Sequence, residues 1–248
     1  MTIHFDADQD TNRYIRCIVP AFDNILSYGQ AMDIIANTLR WGGLAFGPSD
    51  CGYAMWALPT HPSAIRTLDG LLDHTSEPIP LSVASVSDAI RLVKLGTIHL
   101  RLASGAWPGG LTLVGLTADK DAQRLAESVH AHNTLGVRVS RSDIERQLVT
   151  EAGMALTSAA IRDSRGLIVD NYDDAHDIVL DGMARGKAVG VPLVGIRRDG
   201  RFTFDRNSTV AEIDAKNSIH ILREGTLDRK YLLSLSSKLA IHEYGEAT

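Results

Sequence analysis

Gly42-Gly43-Leu44-Ala45-Phe46-Gly47-Pro48-Ser49-Asp50-Cys51-Gly52-Tyr53 reads as a helix end, a short apolar strand and a turn dense in small polar groups. At such a strand-to-loop exit, backbone N–H groups can converge on a ligand with side chains such as Ser49, Asp50 and Tyr53. The same composition also describes a plain Pro-Ser-Asp turn. Further on, Leu156-Thr157-Ser158-Ala159-Ala160 ends an apolar stretch in two hydroxyls and two small residues. That pattern suits a phosphate or carboxylate approached by hydroxyl and backbone donors, or a simple helix cap. Trp107-Pro108-Gly109-Gly110-Leu111-Thr112 joins a fixed-φ residue to two permissive ones before a strand, so the backbone can reverse beside a ligand or a neighbouring strand. Asn207-Ser208-Thr209-Val210 and Leu222-Arg223-Glu224-Gly225 add hydroxyls and a cation. Arg223 is either an anion clamp or half of a surface ion pair.

Several chemistries are disfavoured by the same reading. The nine histidines are scattered, and His130 and His132, the close pair, would face different sides of a helix, so no metal site is read from them. Cys17 and Cys51 form no Cys-x-x-Cys and are expected to be reduced thiols. There is no Gly-x-x-x-x-Gly-Lys-Ser/Thr, no Gly-x-Gly-x-x-Gly and no Gly-x-Ser-x-Gly. The commonest NTPase, dinucleotide and hydrolase sites are therefore not expected.

The elements that must position these residues alternate between helix-like and β-branched stretches, which predicts a mixed α/β fold. Helices are expected at residues 25–41, 118–132 and 142–152, the last opened by Ser142 and Glu145 in capping-box spacing. Strands are expected at 111–116, 136–139 and 189–196. Without repeats or a Pro/Ser-rich linker, residues 26–230 read as one domain, 1–25 as an N-terminal appendage and 231–248 as a C-terminal tail. The tail carries Tyr231, Leu232, Leu233 and Leu235, a short amphipathic stretch that should pack on the body or on a partner.

The chain has 248 residues, 44% of them apolar and 22% charged, enough for a large core without staples. Twenty-five Lys and Arg against 30 Asp and Glu give a net charge of −5, which argues against a uniformly basic nucleic-acid surface. No apolar run approaches the roughly 20 residues needed to span a bilayer, and Met1 to Asp10 is polar, so a cytoplasmic protein without a membrane partner is expected.

In order along the chain, these segments resemble the YrdC-type family, whose best-known members are threonylcarbamoyl-adenylate synthases. The family's Gly-Gly, apolar strand and Pro-Thr-Asp-Thr-x-Tyr-Gly-Leu segment is followed at Pro48 to Met55 with conservative changes. Its Trp-Pro-Gly-x-Leu-Thr motif stands at Trp107 to Thr112, its Gly-Val-Arg-Val strand at Gly136 to Val139, and its Ser-Ala-Asn segment at Ser158 to Ala160. Its closing elements match Ser208-Thr209-Val210 and Leu222 to Gly225, so the likeness covers roughly residues 30–226. The resemblance implies a twisted, mostly parallel sheet flanked by helices, with a concave pocket. It implies ATP or an adenylate as nucleotide, with Mg2+ as its companion ion. It further implies that Ser49, Asp50, Tyr53, Thr112 and Arg138 bind substrate and that Thr157, Ser158, Ser208 and Arg223 bind nucleotide.

The chain departs from the family where phosphates are gripped. Counting back from Pro80-Leu81, the family's Lys-x-Arg pair falls on Asp73 and Thr75, and no Lys or Arg occurs between Arg66 and Arg91. Exchanging a cation for a carboxylate there is worth several kcal/mol at an effective dielectric of about 20. Ala160 also replaces the Asn of Ser-x-Asn. The expectation is a diverged enzyme that forms or transfers a carbamoyl group on a small amine or amino acid, in a specialised pathway. Asp73 would face a cationic amine, His74 would act as base and Ser158 would complete the catalytic set. One alternative is the standard synthase activity for tRNA modification, with cations drawn from Arg138, Arg141 or Arg162. Another is a non-catalytic nucleotide- or RNA-binding module, with Arg138, Arg141, Arg146, Arg162 and Arg165 as a basic face.

Overall fold

The structure, a computed structural model, describes residues 2–6, 14–19, 22–73, 78–185, 191–198, 202 and 206–237, with side chains described for 28–73, 78–185, 191–197, 202 and 206–236. The chain begins with strands β1 (Thr2–Asp6), β2 (Tyr14–Val19) and β3 (Phe22–Ser27), then helix α1 (Tyr28–Arg40). Next come β4 (Leu44–Pro48), β5 (Tyr53–Trp56), α2 (Pro62–Leu72), β6 (Leu81–Ser82), α3 (Val86–Leu92) and α4 (Thr97–Ala106). The middle is β7 (Leu111–Leu116), α5 (Lys120–Ser128), β8 (Thr134–Arg138), α6 (Asp143–Ala152), β9 (Leu156–Thr157) and β10 (Ala159–Ala160). It closes with α7 (Tyr172–Ala184), β11 (Leu193–Arg198), β12 (Thr209–Ile213), β13 (Ile219–Arg223) and α8 (Arg229–Ser237).

Local chemistry accounts for the helices around the site. Ala31, Met32, Ile35, Ala36 and Leu39 recur at helical spacing and make the buried stripe of α1, which gives way to Gly42 at φ 77°. The helix starts three residues later than the pattern predicts, because Phe22 to Ser27 is taken up by β3. Helix α6 opens as expected, with Ser142 Oγ accepting the Glu145 N–H at 3.4 Å, and ends on Gly153 at φ 77°.

The helix-flanked α/β architecture is as predicted, but the sheets are mixed rather than mostly parallel, and there are two. One runs β10-β5-β4-β11-β1-β2-β3 and the other β13-β12-β7-β8-β6-β9. Parallel pairing joins β1 to β11, β11 to β4, β12 to β7 and β6 to β8. The hairpins β4–β5 and β12–β13 are antiparallel, as their short connections require. Strands β1, β2 and β3, which lie largely within residues 1–25, the stretch read as an appendage, belong to the first sheet, with Thr2 opposite Gly195.

Strands β4 and β5 separate two cores. Leu44, Phe46, Tyr53 and Met55 face the larger core, while Ala45, Ala54 and Trp56 face the smaller one beneath α1 and α6. The alternation is the pleat itself, and burial on both faces gives the continuous apolar run seen in the sequence. The β7 strand occupies 111–116 as predicted. Helix α8 packs its Leu232 inward, Tyr231 Oη donates to Gly105 O at 2.9 Å, and Arg101 Nη1 donates to Ser236 O at 3.0 Å. The amphipathic tail stretch therefore lies on α4. Among the described residues no helix is long and apolar enough to cross a membrane.

Candidate functional site

The segments singled out from the sequence meet around one cavity of about 280 Å3. The β4–β5 loop supplies Ser49, Cys51 and Gly52, and β5 supplies Tyr53. Arg138 ends β8, Ser158 sits between β9 and β10, and Arg162 follows β10. Asn207 and Ser208 precede β12, Arg223 ends β13, and Asp73 follows α2. Gly52 is held at φ 140°, and a Cβ there would stand 2.2 Å from Ile168 Cγ2, so only glycine lets the loop close against the 161–169 segment.

Beneath the cavity lies a buried ion pair. The Arg138 and Asp50 side chains are 6% and 0% exposed, and Arg138 Nη2 donates to Asp50 Oδ1. Asp50 Oδ2 accepts the Arg141 backbone N–H at 2.9 Å. Burial opposes ionisation of Asp50, yet the Arg138 charge and the Arg141 N–H overcome it and hold the carboxyl below its ordinary value. Burial likewise opposes the charge on Arg138, and the Asp50 and Glu145 carboxylates outweigh it, keeping the guanidinium fully protonated. Burial pushes the Cys51 thiol up to about 12. Arg138 Nε is buried and has no hydrogen-bond partner among the described residues.

A second buried carboxylate, Glu145 on α6, is 0% exposed and joins two sides of the wall. Ser49 Oγ donates to Glu145 Oε2 at 2.6 Å, and Ser158 Oγ donates to Glu145 Oε1 at 2.8 Å. At the other side, Thr112 Oγ1 and Ser208 Oγ are 2.8 Å apart, and Arg223 Nη2 donates to Ser208 O at 3.1 Å and Ser208 Oγ at 3.3 Å. The Trp107 indole fixes the preceding turn by donating to Leu111 O at 2.7 Å.

The expected site residues divide into wall and support. Ser49, Tyr53, Asp73, Arg138, Ser158, Ser208 and Arg223 line the cavity. Asp50 is not among the lining residues: it is buried behind them, with its carboxylate held by Arg138 and the Arg141 N–H. Thr157 is likewise buried and absent from the lining, and its hydroxyl accepts the Ala57 N–H at 2.8 Å. Thr112 is not among the lining residues and meets the wall at Ser208. Asp73 is exposed, adopts φ 49° at the end of α2 and pairs with Arg185 Nη2 at 3.4 Å. His74, the expected base, lies outside the described residues, as does Thr75.

Sequence reasoning missed Glu145, whose only signal was its capping-box spacing, and it missed Arg185, which brings a cation to the cation-poor stretch. The five arginines considered for a basic face do not form one unpaired surface. Arg138 is buried, while Arg146 and Arg165 pair with Asp143 and Asp163.

Comparison with solved structures gives three informative likenesses. Sua5 from P. abyssi complexed with L-threonine has a TM-score of 0.70 at 18% identity, over 85% of this chain and 58% of that one. YciO from E. coli has a TM-score of 0.70 at 17% identity, over 93% of this chain and 97% of that one. Full-length HypF in its phosphate- and nucleotide-bound form has a TM-score of 0.64 at 15% identity, over 79% of this chain and 29% of that one. The chain thus spans just over half of Sua5 and almost all of YciO, and these likenesses establish a shared fold. A search of curated proteins returns no match. The Sua5/YciO/YrdC family model, described as telomere recombination, matches residues 37–225, which include every described wall residue of the cavity, and the chain belongs to that family.

Proposed function

We propose that the protein is a diverged YrdC-type enzyme that handles an adenylate and forms or transfers a carbamoyl group on a small amine or amino acid. The observation that carries this reading is the convergence of Arg138, Arg162 and Arg223, from three separate segments of the chain, on one cavity with Asn207 and Ser208. Guanidinium groups in a partly desolvated wall bind phosphate and carboxylate oxygens more strongly than surface cations do. Likeness in fold to a nucleotide-bound HypF supports an adenylate as ligand.

In the transfer direction, the amine nitrogen bonds to the carbonyl carbon, the bond from that carbon to the phosphate oxygen breaks, and AMP departs with the electron pair. The arginines stabilise charge growing on the departing phosphate. Asp73, the carboxylate among the described lining residues, is assigned to hold the cationic amine and to accept its proton. Among the described residues no set of three or more His, Cys, Asp or Glu side chains is gathered for a metal, so Mg2+ would arrive on the phosphates of ATP.

A second reading, synthesis of threonylcarbamoyl-AMP, is favoured by Arg138 and Arg162 lying in the cavity wall, where they could stand in for the missing Lys-x-Arg cations. One assay separates the two. The protein is incubated with ATP, bicarbonate and a panel of amines and amino acids, and pyrophosphate is measured. Release that needs an amine other than threonine supports the first reading, and release with threonine alone supports the second. No release with any acceptor, together with no nucleotide binding at millimolar concentration, defeats both.

A further inference from the structure

We propose that Glu145 is a positioning residue that turns Ser49 and Ser158 into a pair of hydrogen-bond acceptors for the N–H donors of a carbamoyl group; this deepens, and rests on, the function proposed above. A serine hydroxyl has one proton to give and two lone pairs with which to accept. Here both protons are committed, to the two oxygens of the same carboxylate, at 2.6 and 2.8 Å. Ser49 has a second acceptor within reach, Asp50 Oδ1, but at 3.3 Å it competes weakly with Glu145. No described residue donates to either serine oxygen. Both serines line the cavity, while Glu145 is 0% exposed behind them.

Turning either hydroxyl toward a ligand oxygen would strip a fully buried carboxylate of a donor, which the interior penalises heavily. The serine lone pairs are therefore what the ligand meets. A phosphate offers mostly acceptors and finds no partner there, whereas a carbamoyl NH2 offers two donors to two acceptors. The wall is chemically divided: Arg138, Arg162 and Arg223 donate, and Ser49 and Ser158 accept. A carbamoyl-phosphate linkage carries both complements.

Two stable phosphonates test the division, because phosphonoacetamide and acetonylphosphonate differ only in an NH2 against a CH3. Isothermal titration of the full chain is expected to show phosphonoacetamide binding about five- to thirtyfold tighter, the ratio of one to two well-made hydrogen bonds. In Glu145→Gln the glutamine NH2 donates to one serine and frees that hydroxyl's proton, so the preference falls toward unity while acetonylphosphonate still binds. Ser158→Ala, which leaves Glu145 and Arg138 in place, reduces the preference by removing one acceptor, and it keeps the test open if the Gln variant does not fold. Equal binding of the two phosphonates to the unaltered protein, binding of neither, or a parallel loss of both in the variants overturns the acceptor pair. The function proposed above then stands or falls separately on the pyrophosphate assay.

Discussion

Replacing Arg138 by Met tests how the site is held together. With the two side chains 6% and 0% exposed, water cannot take the place of the guanidinium beside Asp50. The carboxylate would keep the Arg141 N–H at 2.9 Å and the Cys51 thiol at 3.3 Å, and Glu145 would also lose its neighbouring cation. Removing one half of a buried pair costs about 3–5 kcal/mol, against a total stability of about 5–15 kcal/mol. At roughly 2–4 °C per kcal/mol for a domain of this size, Tm should fall on the order of 10 °C. Asp50→Leu combined with Arg138→Met should recover part of that loss, because an apolar pair carries no desolvation penalty, while Glu145 stays unneutralised. Urea and thermal melts at pH 7 measure both effects. The pH dependence has a definite sign. Asp50 is held below its ordinary value of 3.8, so its contribution is complete above that value and disappears as pH falls through the lower folded value. As pH falls below about 4 the unaltered protein should therefore lose more stability than the double variant. A single variant that melts within about 2 °C of the unaltered protein would show that the buried pair contributes little to stability.

Two other outcomes follow from the same geometry. Cys51, with its thiol pushed up to about 12 by burial, should resist alkylation at pH 8 in the native state and react once unfolded, as read by peptide mass spectrometry; rapid native labelling would show that the loop opens. Gly225→Ala would place a Cβ 2.2 Å from Asn207 O and 2.5 Å from the Ser208 carbonyl carbon, so the Asn207–Ser208 segment must shift and Ser208 must leave Thr112 and Arg223. Nucleotide affinity should drop by at least about tenfold with the rest of the fold intact, and unchanged affinity would remove that segment from the site.

The sequence made the wall of the site largely legible, because strand exits and turns carry their signal in local composition. Ser49, Tyr53, Ser158, Ser208 and Arg223 were all visible that way, and β7 and α6 matched their predicted spans closely. What could not be read was which polar group would be spent on the protein itself. Asp50 and Thr157 carry the same local signal as the wall residues, and only the fold brings Arg138 and the Ala57 amide against them. Glu145 is the converse case: at Ser142 plus three it looks like a cap, and only the tertiary structure sets it between residues 96 and 13 positions away. Strand direction was equally hidden, since apolar alternation is the same in parallel and antiparallel pairs; the mixed sheets follow from connection lengths. The charge deficit between Arg66 and Arg91 was real along the chain, but Arg162 and Arg223 at the wall, and Arg185 beside Asp73, offset it in space.

The most direct measurement is calorimetric titration of the full chain with AMP, repeated on Arg162→Ala and Arg223→Ala. The account predicts saturable binding with a Kd below about 1 mM and a loss of at least about tenfold in each variant. No binding at several times that concentration, or binding that neither substitution changes, would contradict it.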